Sequence, residues 1–174
     1  MTKLSAAVNA KDHMQGDPKA PVTLVEYGDY QCPSCGQAYP IVKRLQKHFG
    51  KRLSFVFRNF PLTQIHQYAE PAAETAEYAG AHHKFWEMHD LLYENQERLD
   101  DDLLDELSQQ LSLDPEELTR ALESKQFEAR VRADFSTGVR SGVNGTPTFF
   151  INAQRHDGSY DYESMVEAIN LALA

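Results

Sequence analysis

The run Val22-Thr23-Leu24-Val25-Glu26-Tyr27 constrains the fold more than any other stretch of the chain. It is apolar on both faces, and a strand of that kind must be covered on both sides, which places it inside a sheet. After a loop at Gly28-Asp29-Tyr30-Gln31, Ala38, Ile41, Leu45 and Phe49 recur at helical spacing, and Gly50 supplies a stop. Pro40 falls inside this pattern and is expected to kink the helix. Leu53, Phe55 and Phe57 then alternate with Ser54, Val56 and Arg58 in a second strand that ends by Pro61. The order β-α-β favours two parallel strands joined by a right-handed crossover.

The middle of the chain is helical. Tyr68 to Ala79 is rich in Ala and Glu and stops at Gly80. Phe85, Met88, Leu91 and Leu92 mark a further helix, and Leu103, Leu104, Leu107 and Leu111 another. Asp114-Pro115-Glu116-Glu117 is a helix start, with a capping acid, proline at the first position and an acid in the first turn. Phe127, Val131, Phe135 and Val139 form a four-residue stripe that is expected to face a core. Strand character returns at Thr148-Phe149-Phe150-Ile151, turns at Asn152-Ala153-Gln154 and resumes briefly at Arg155-His156-Asp157. A last helix is expected from about Tyr160 to Leu173.

Composition removes several classes of function. The formal net charge of −9 argues against a nucleic-acid partner, which needs a basic stripe. Lys43, Arg44 and Lys47 share one helix and read as a solvated face. No apolar run approaches the ~20 residues that span a bilayer. The stretch Met1 to Val8 is too short for the apolar region of ~7–15 residues in a secretory leader. The expected location is therefore cytoplasmic, or periplasmic or extracellular if a leader has been removed.

There are only two cysteines, Cys32 and Cys35. A bridge across so small a loop removes little chain entropy, so stability is a poor reason for it. A Cys-x-x-Cys pair that follows a strand and opens a helix in a βαβ setting is the dithiol redox signature. A helix start leaves unpaired N–H groups and about half a positive charge, which favour a thiolate. Cys32 would cap the helix with Pro33 at its first position, and Cys35 would lie one turn further in and more covered. That asymmetry makes Cys32 the nucleophile and Cys35 the resolving thiol. The competing reading is half of a metal site. A structural zinc needs four ligands, and there is no second cysteine pair. The histidines at 13, 48, 66, 82, 83, 89 and 156 are scattered, with a weak cluster at His82, His83 and His89.

Glu26 is a carboxyl within a strand expected to be buried, six residues before Cys32. Such a group is costly unless neutral, paired or useful, and here it is placed to take the proton of Cys35. The alternative is a solvated or salt-bridged carboxyl at the strand end. Pro147, in Gly145-Thr146-Pro147-Thr148, starts the late strand rather than occupying its middle, because it lacks a donor. By base rates its peptide bond would be trans.

Glu26, Cys32-Pro33-Ser34-Cys35 and Thr146-Pro147 before a strand, with a helical block between, resemble the DsbA family of thioredoxin-fold oxidoreductases, in a bacterial form without a leader. The stretches Val25 to Tyr30, Arg58 to Leu62 and Gly145 to Asn152 are similar too, and the likeness spans roughly 15–173. The resemblance implies an α/β thioredoxin fold, a mixed central sheet flanked by helices, over 15–62 and 140–174. It implies an all-helical insertion at 63–139, and leaves 1–14 as an irregular N-terminal segment. It also implies that Cys32 attacks, that Cys35 resolves, that Glu26 is buried under the pair, and that Pro147 is cis and faces the pair. Thr146, Pro33 and Ser34 would be its neighbours. Ser34 departs from the His or Tyr of the better-known oxidants and brings no cationic ring, so strong oxidising power is not expected.

The expected activity is dithiol–disulfide exchange, with no cofactor because the electrons reside in the cysteines. Partners would be protein or low-molecular-weight thiols and disulfides together with a redox partner, and the protein a monomer or weak dimer. The net direction stays open, and a cytoplasmic setting suits reduction or repair as well as disulfide formation. Two other classes remain: a metal or iron–sulfur module built on the Cys pair, and a peptide-binding folding helper for which redox is secondary.

Overall fold

The computed structural model describes residues 2–174. A five-stranded sheet has the order β1-β3-β2-β4-β5, formed by His13–Gln15, Val22–Gly28, Leu53–Asn59, Thr148–Ile151 and Gln154–Arg155 numbered along the chain. β2 and β3 are parallel, and the other pairings are antiparallel. Helix α1, Pro33–Phe49, is the crossover between β2 and β3. Five helices then follow before the sheet resumes: α2 (Ala69–Ala81), α3 (Phe85–Glu94), α4 (Asp101–Gln110), α5 (Pro115–Glu123) and α6 (Glu128–Arg140). Helix α7, Tyr162–Leu173, closes the chain. No helix among the described residues is long and apolar enough to cross a membrane.

The sheet is covered on both faces, as the composition of β2 requires. Val22, Leu24, Phe55, Phe57 and Phe149 join one core with α1, α3 and α7. Val25, Tyr27, Val56, Phe60 and Phe150 form a second core on the opposite face, against Leu4, Val8, Met14 and Phe135. Glu26 shares the parity of Val22 and Leu24, so its carboxyl enters the α1 side.

Three expectations are corrected. The segment 1–14 is expected to be irregular, yet His13–Gln15 pairs with Phe55–Phe57 as β1. β3 reads as half-buried, but all seven of its residues are buried. Its second face is covered by the N-terminal segment, which periodicity cannot reveal. The stripe on α6 is also rotated. The buried positions are Val131, Asp134 and Gly138, while Val139 is 54% exposed. At Gly138 a side chain would collide with Phe60 and Tyr27, so the helix packs most closely where it has none. Pro40 is accommodated within an α1 that continues to Phe49.

Candidate active site

Cys32 is the cap residue of α1, with extended backbone (φ −70°, ψ 121°), and Pro33 follows at the first helical position. The first N–H groups of the helix have no backbone partner within it, and those of Ser34 and Cys35 bear on the Cys32 sulfur. The two thiols are free, and Cys32 is 7% exposed while Cys35 is 0% exposed, so only Cys32 offers an approach to a substrate. The difference follows from position, since Cys35 lies one turn along the helix, on its inner side.

The surroundings separate the two thiols chemically. A hydrogen bond from Cys35 is the largest influence on Cys32 and lowers its pKa. Burial opposes this, and Thr146 and the N–H groups of Cys35 and Ser34 add to the lowering, leaving Cys32 at about 5. Cys35 is driven well above its ordinary value, first by burial, then by its bond to Cys32 and by the charge of Glu26. Ser34 contributes through its backbone N–H.

Glu26 is 3% exposed, and its Oε2 is buried without a hydrogen-bond partner. Burial, and then the negative charge of Cys32, push its pKa up to about 8. The solvated reading of Glu26 is thus set aside. The Thr146–Pro147 bond is cis, where base rates alone favoured trans. The Thr146 carbonyl lies 3.6 Å from Cys32 Sγ. The Thr146 hydroxyl is buried with no conventional partner. Pro147 follows Thr146 in the chain, and Glu26, Cys32, Cys35 and Thr146 are gathered in one place. The weak histidine cluster is not. His89 is buried and hydrogen-bonded to the Tyr30 hydroxyl at 2.9 Å, whereas His82 lies 3.3 Å from Glu117 on the surface.

Sequence reasoning missed the frame of the loop before Cys32. Asp29 is fully buried, and its Oδ1 accepts the Gln31 N–H at 2.7 Å. Its Oδ2 accepts from the Leu62 N–H at 3.0 Å and from His66 Nδ1 at 2.7 Å. The Gln31 side chain accepts the Tyr68 N–H at 2.7 Å. An Asp two residues before the atom it binds is an Asx-turn signal, legible in Asp29-Tyr30-Gln31. The His66 and Gln31 contacts span tens of residues and leave no local signal.

The family described as thioredoxin matches residues 8–171. The chain is 44% identical over 164 residues, 94% of its length, to Na(+)/H(+) antiporter NhaA 1 of Salinispora arenicola, but covers only 25% of that protein. It is 38% identical to NhaA 1 of a Mycobacterium species, covering 91% of this chain and 26% of that one. The chain thus spans about a quarter of the length of these curated relatives. Among solved structures, oxidised BdbD from Bacillus subtilis superposes with a TM-score of 0.87 at 28% identity, covering 99% of both chains. Wolbachia pipientis alpha-DsbA1 gives 0.82 at 20% identity, covering 95% of this chain and 92% of that one, a likeness of fold. The chain belongs to the thioredoxin family.

Proposed function

We propose that this chain passes a disulfide to thiol-bearing polypeptides through Cys32, with net flow toward substrate oxidation. The carrying observation is the drop of Cys32 to about 5 while Cys35 rises. Stabilising the thiolate stabilises the reduced enzyme, so its disulfide is more readily given up. In the oxidised protein a substrate thiolate attacks Cys32 Sγ, the exposed sulfur. The Cys32–Cys35 bond breaks, and Cys35 leaves with the electron pair. Cys35 retains its proton so strongly that it needs one at once, and protonated Glu26 supplies it. A second substrate thiolate then attacks the substrate sulfur of the mixed disulfide, forming the substrate disulfide and releasing Cys32 as a stabilised thiolate. In the reverse direction Glu26 receives the Cys35 proton. The Thr146 carbonyl, 3.6 Å from Cys32 Sγ, offers a place beside the sulfur for an extended substrate segment.

This direction sharpens the open expectation from the sequence. A pKa of about 5 falls between the roughly 7 of thioredoxin and roughly 3.5 of the strongest oxidants. The potential is then expected between about −270 and −120 mV. Equilibrating the Cys32–Cys35 couple with glutathione tests this, and a potential below that of thioredoxin would reverse the direction. Ion exchange by the antiporter relatives is not assigned to this chain. Passing on a disulfide requires a pair that is kept oxidised, so we propose the periplasmic or extracellular setting rather than the reducing cytoplasm. Thiol trapping in intact cells tests it, and a fully reduced pair would contradict it.

Glu26→Gln should slow the half-reactions that move the Cys35 proton by about 10²-fold or more while sparing attack at Cys32. It should also change the pH dependence of stability. Because the folded-state value is raised to about 8, the folded protein holds a proton that the unfolded chain releases near 4.5. Stability from this group therefore falls as pH rises between those values. Denaturant melts of the oxidised protein should show that decline in the wild type and lose it in Glu26→Gln. Unchanged profiles in both assays would make Glu26 a bystander.

A further inference from the structure

We propose that Gln96, in the turn between α3 and α4, is a positioning residue that fixes the backbone presenting Cys32, so that the helical insertion helps set the redox behaviour of the pair. The inference deepens the exchange reading above and rests on it. The Gln96 side-chain amide donates to the Tyr30 carbonyl at 2.9 Å and to the Cys32 carbonyl at 2.7 Å. The Cys32 carbonyl also accepts the Gly36 N–H at 3.1 Å, the first bond of α1. One amide thus ties the last buried loop residue to the helix cap, clamping both sides of the turn that aims the sulfur.

A second observation comes from the opposite strand of this contact. A side chain at Gly36 would collide with the Gln96 side-chain oxygen. Gly36 lies inside a helix, where glycine costs about 1 kcal/mol relative to alanine. The close approach of Gln96 supplies a reason for it there. The rest of the loop is held independently, since Tyr30 is anchored by His89 and Asp29 by His66 and Leu62. Gln96 is the member that reaches the carbonyl of Cys32 itself.

The thiolate is served by the N–H groups of Ser34 and Cys35, whose bearing on the sulfur depends on the dihedral angles of Cys32. Without Gln96 the Cys32 carbonyl keeps only its bond from Gly36, and the Tyr30 carbonyl loses its tie to the cap, which loosens those angles. The N–H groups then bear less well on the sulfur, which raises the proton affinity of Cys32 and makes the disulfide less oxidising.

The test uses Gln96→Met, which keeps length without a donor, and Gly36→Ala, which evicts Gln96 while favouring the helix. Each should raise the pH midpoint of Cys32 alkylation, cutting the thiolate fraction at pH 4–5 about three- to tenfold, the worth of one hydrogen bond. Each should lower the oxidising power of the couple in parallel. The double variant should show no further shift, because both changes remove the same contact. Melting should change by different amounts in the reduced and oxidised proteins, whereas a merely structural role would shift both equally. An unchanged midpoint in Gln96→Met, or additive effects in the double variant, would overturn the proposal while the wild-type midpoint stays low. An ordinary thiol midpoint in the wild type would instead overturn the exchange reading, and this proposal with it.

Discussion

Replacing Cys32 with Ser should abolish exchange, and replacing Cys35 with Ser should leave a protein that accumulates mixed disulfides with its substrates. The two outcomes differ because the thiols differ. Cys32 is the sulfur with an exposed edge and a thiolate at neutral pH, while Cys35 is enclosed and protonated. With Ser at 32 no accessible nucleophile remains, and the rate should fall at least ~10³-fold, in line with loss of a covalent nucleophile. With Ser at 35 the first attack proceeds and resolution does not, so gels without reductant should show adducts that disappear on reduction. Adducts formed by Cys32→Ser through Cys35, or full turnover by either variant, would contradict the assignment. The peptide-binding reading, in which redox is secondary, predicts activity that survives both replacements.

The largest effect on stability is expected far from the sulfurs. Arg58 lies on the second face of β3 with its side chain 3% exposed, and Asp12 binds it twice, at 2.9 Å to Nε and 2.9 Å to Nη2. The Arg58 Nη1 donates to the Ala6 carbonyl and the Tyr27 hydroxyl, each at 2.9 Å. The N-terminal segment is thus held by a buried cation. Asp12→Ala would leave that cation without its counter-charge and should cost about 3–5 kcal/mol. That is a large part of the ~5–15 kcal/mol typical of a whole domain. Replacing both, as Asp12→Leu with Arg58→Met, should recover much of the loss, because the uncompensated charge goes with its partner. Burial is the largest single influence and raises the Asp12 pKa, but the hydrogen bonds from Arg58 and the Asn9 N–H together with the charges of Arg58 and Arg130 outweigh it, and the net value is lowered. Its contribution is therefore present above the ordinary carboxylate range and is lost as pH falls through the lowered value. Denaturant melts of wild type and Asp12→Ala should converge in strong acid. A loss under about 1 kcal/mol at pH 7 would show the strap to be dispensable.

These two sites differ in how much of them the sequence discloses. The strand at β2, the cap position of Cys32, the depth of Cys35 and the buried carboxyl at Glu26 all follow from short-range pattern, because period and spacing act within a few residues. Pro147 could be placed at the start of a strand, but the approach of its neighbour Thr146 to Cys32 depends on a chain return of more than a hundred residues. Arg58 read as the outward position of an alternating strand. It is buried because residues 6–12 fold over it, and no local periodicity encodes that. Asp29 left an Asx-turn signal, whereas His66 and Gln96 reach the same loop from the helical block without one. The rotation of α6 was misjudged because the apolar stripe ignores Gly138, where close packing needs a missing side chain.

The central claim is that the fold makes Cys32 a stable thiolate and keeps Cys35 a thiol. The most direct measurement is alkylation of the reduced protein with a limiting reagent across pH 3–9, with the label mapped to each cysteine. The account predicts labelling of Cys32 with a midpoint near 5 and little labelling of Cys35 anywhere in that range. Preferential labelling of Cys35, or a Cys32 midpoint near the ~8.5 of a free cysteine, would contradict it.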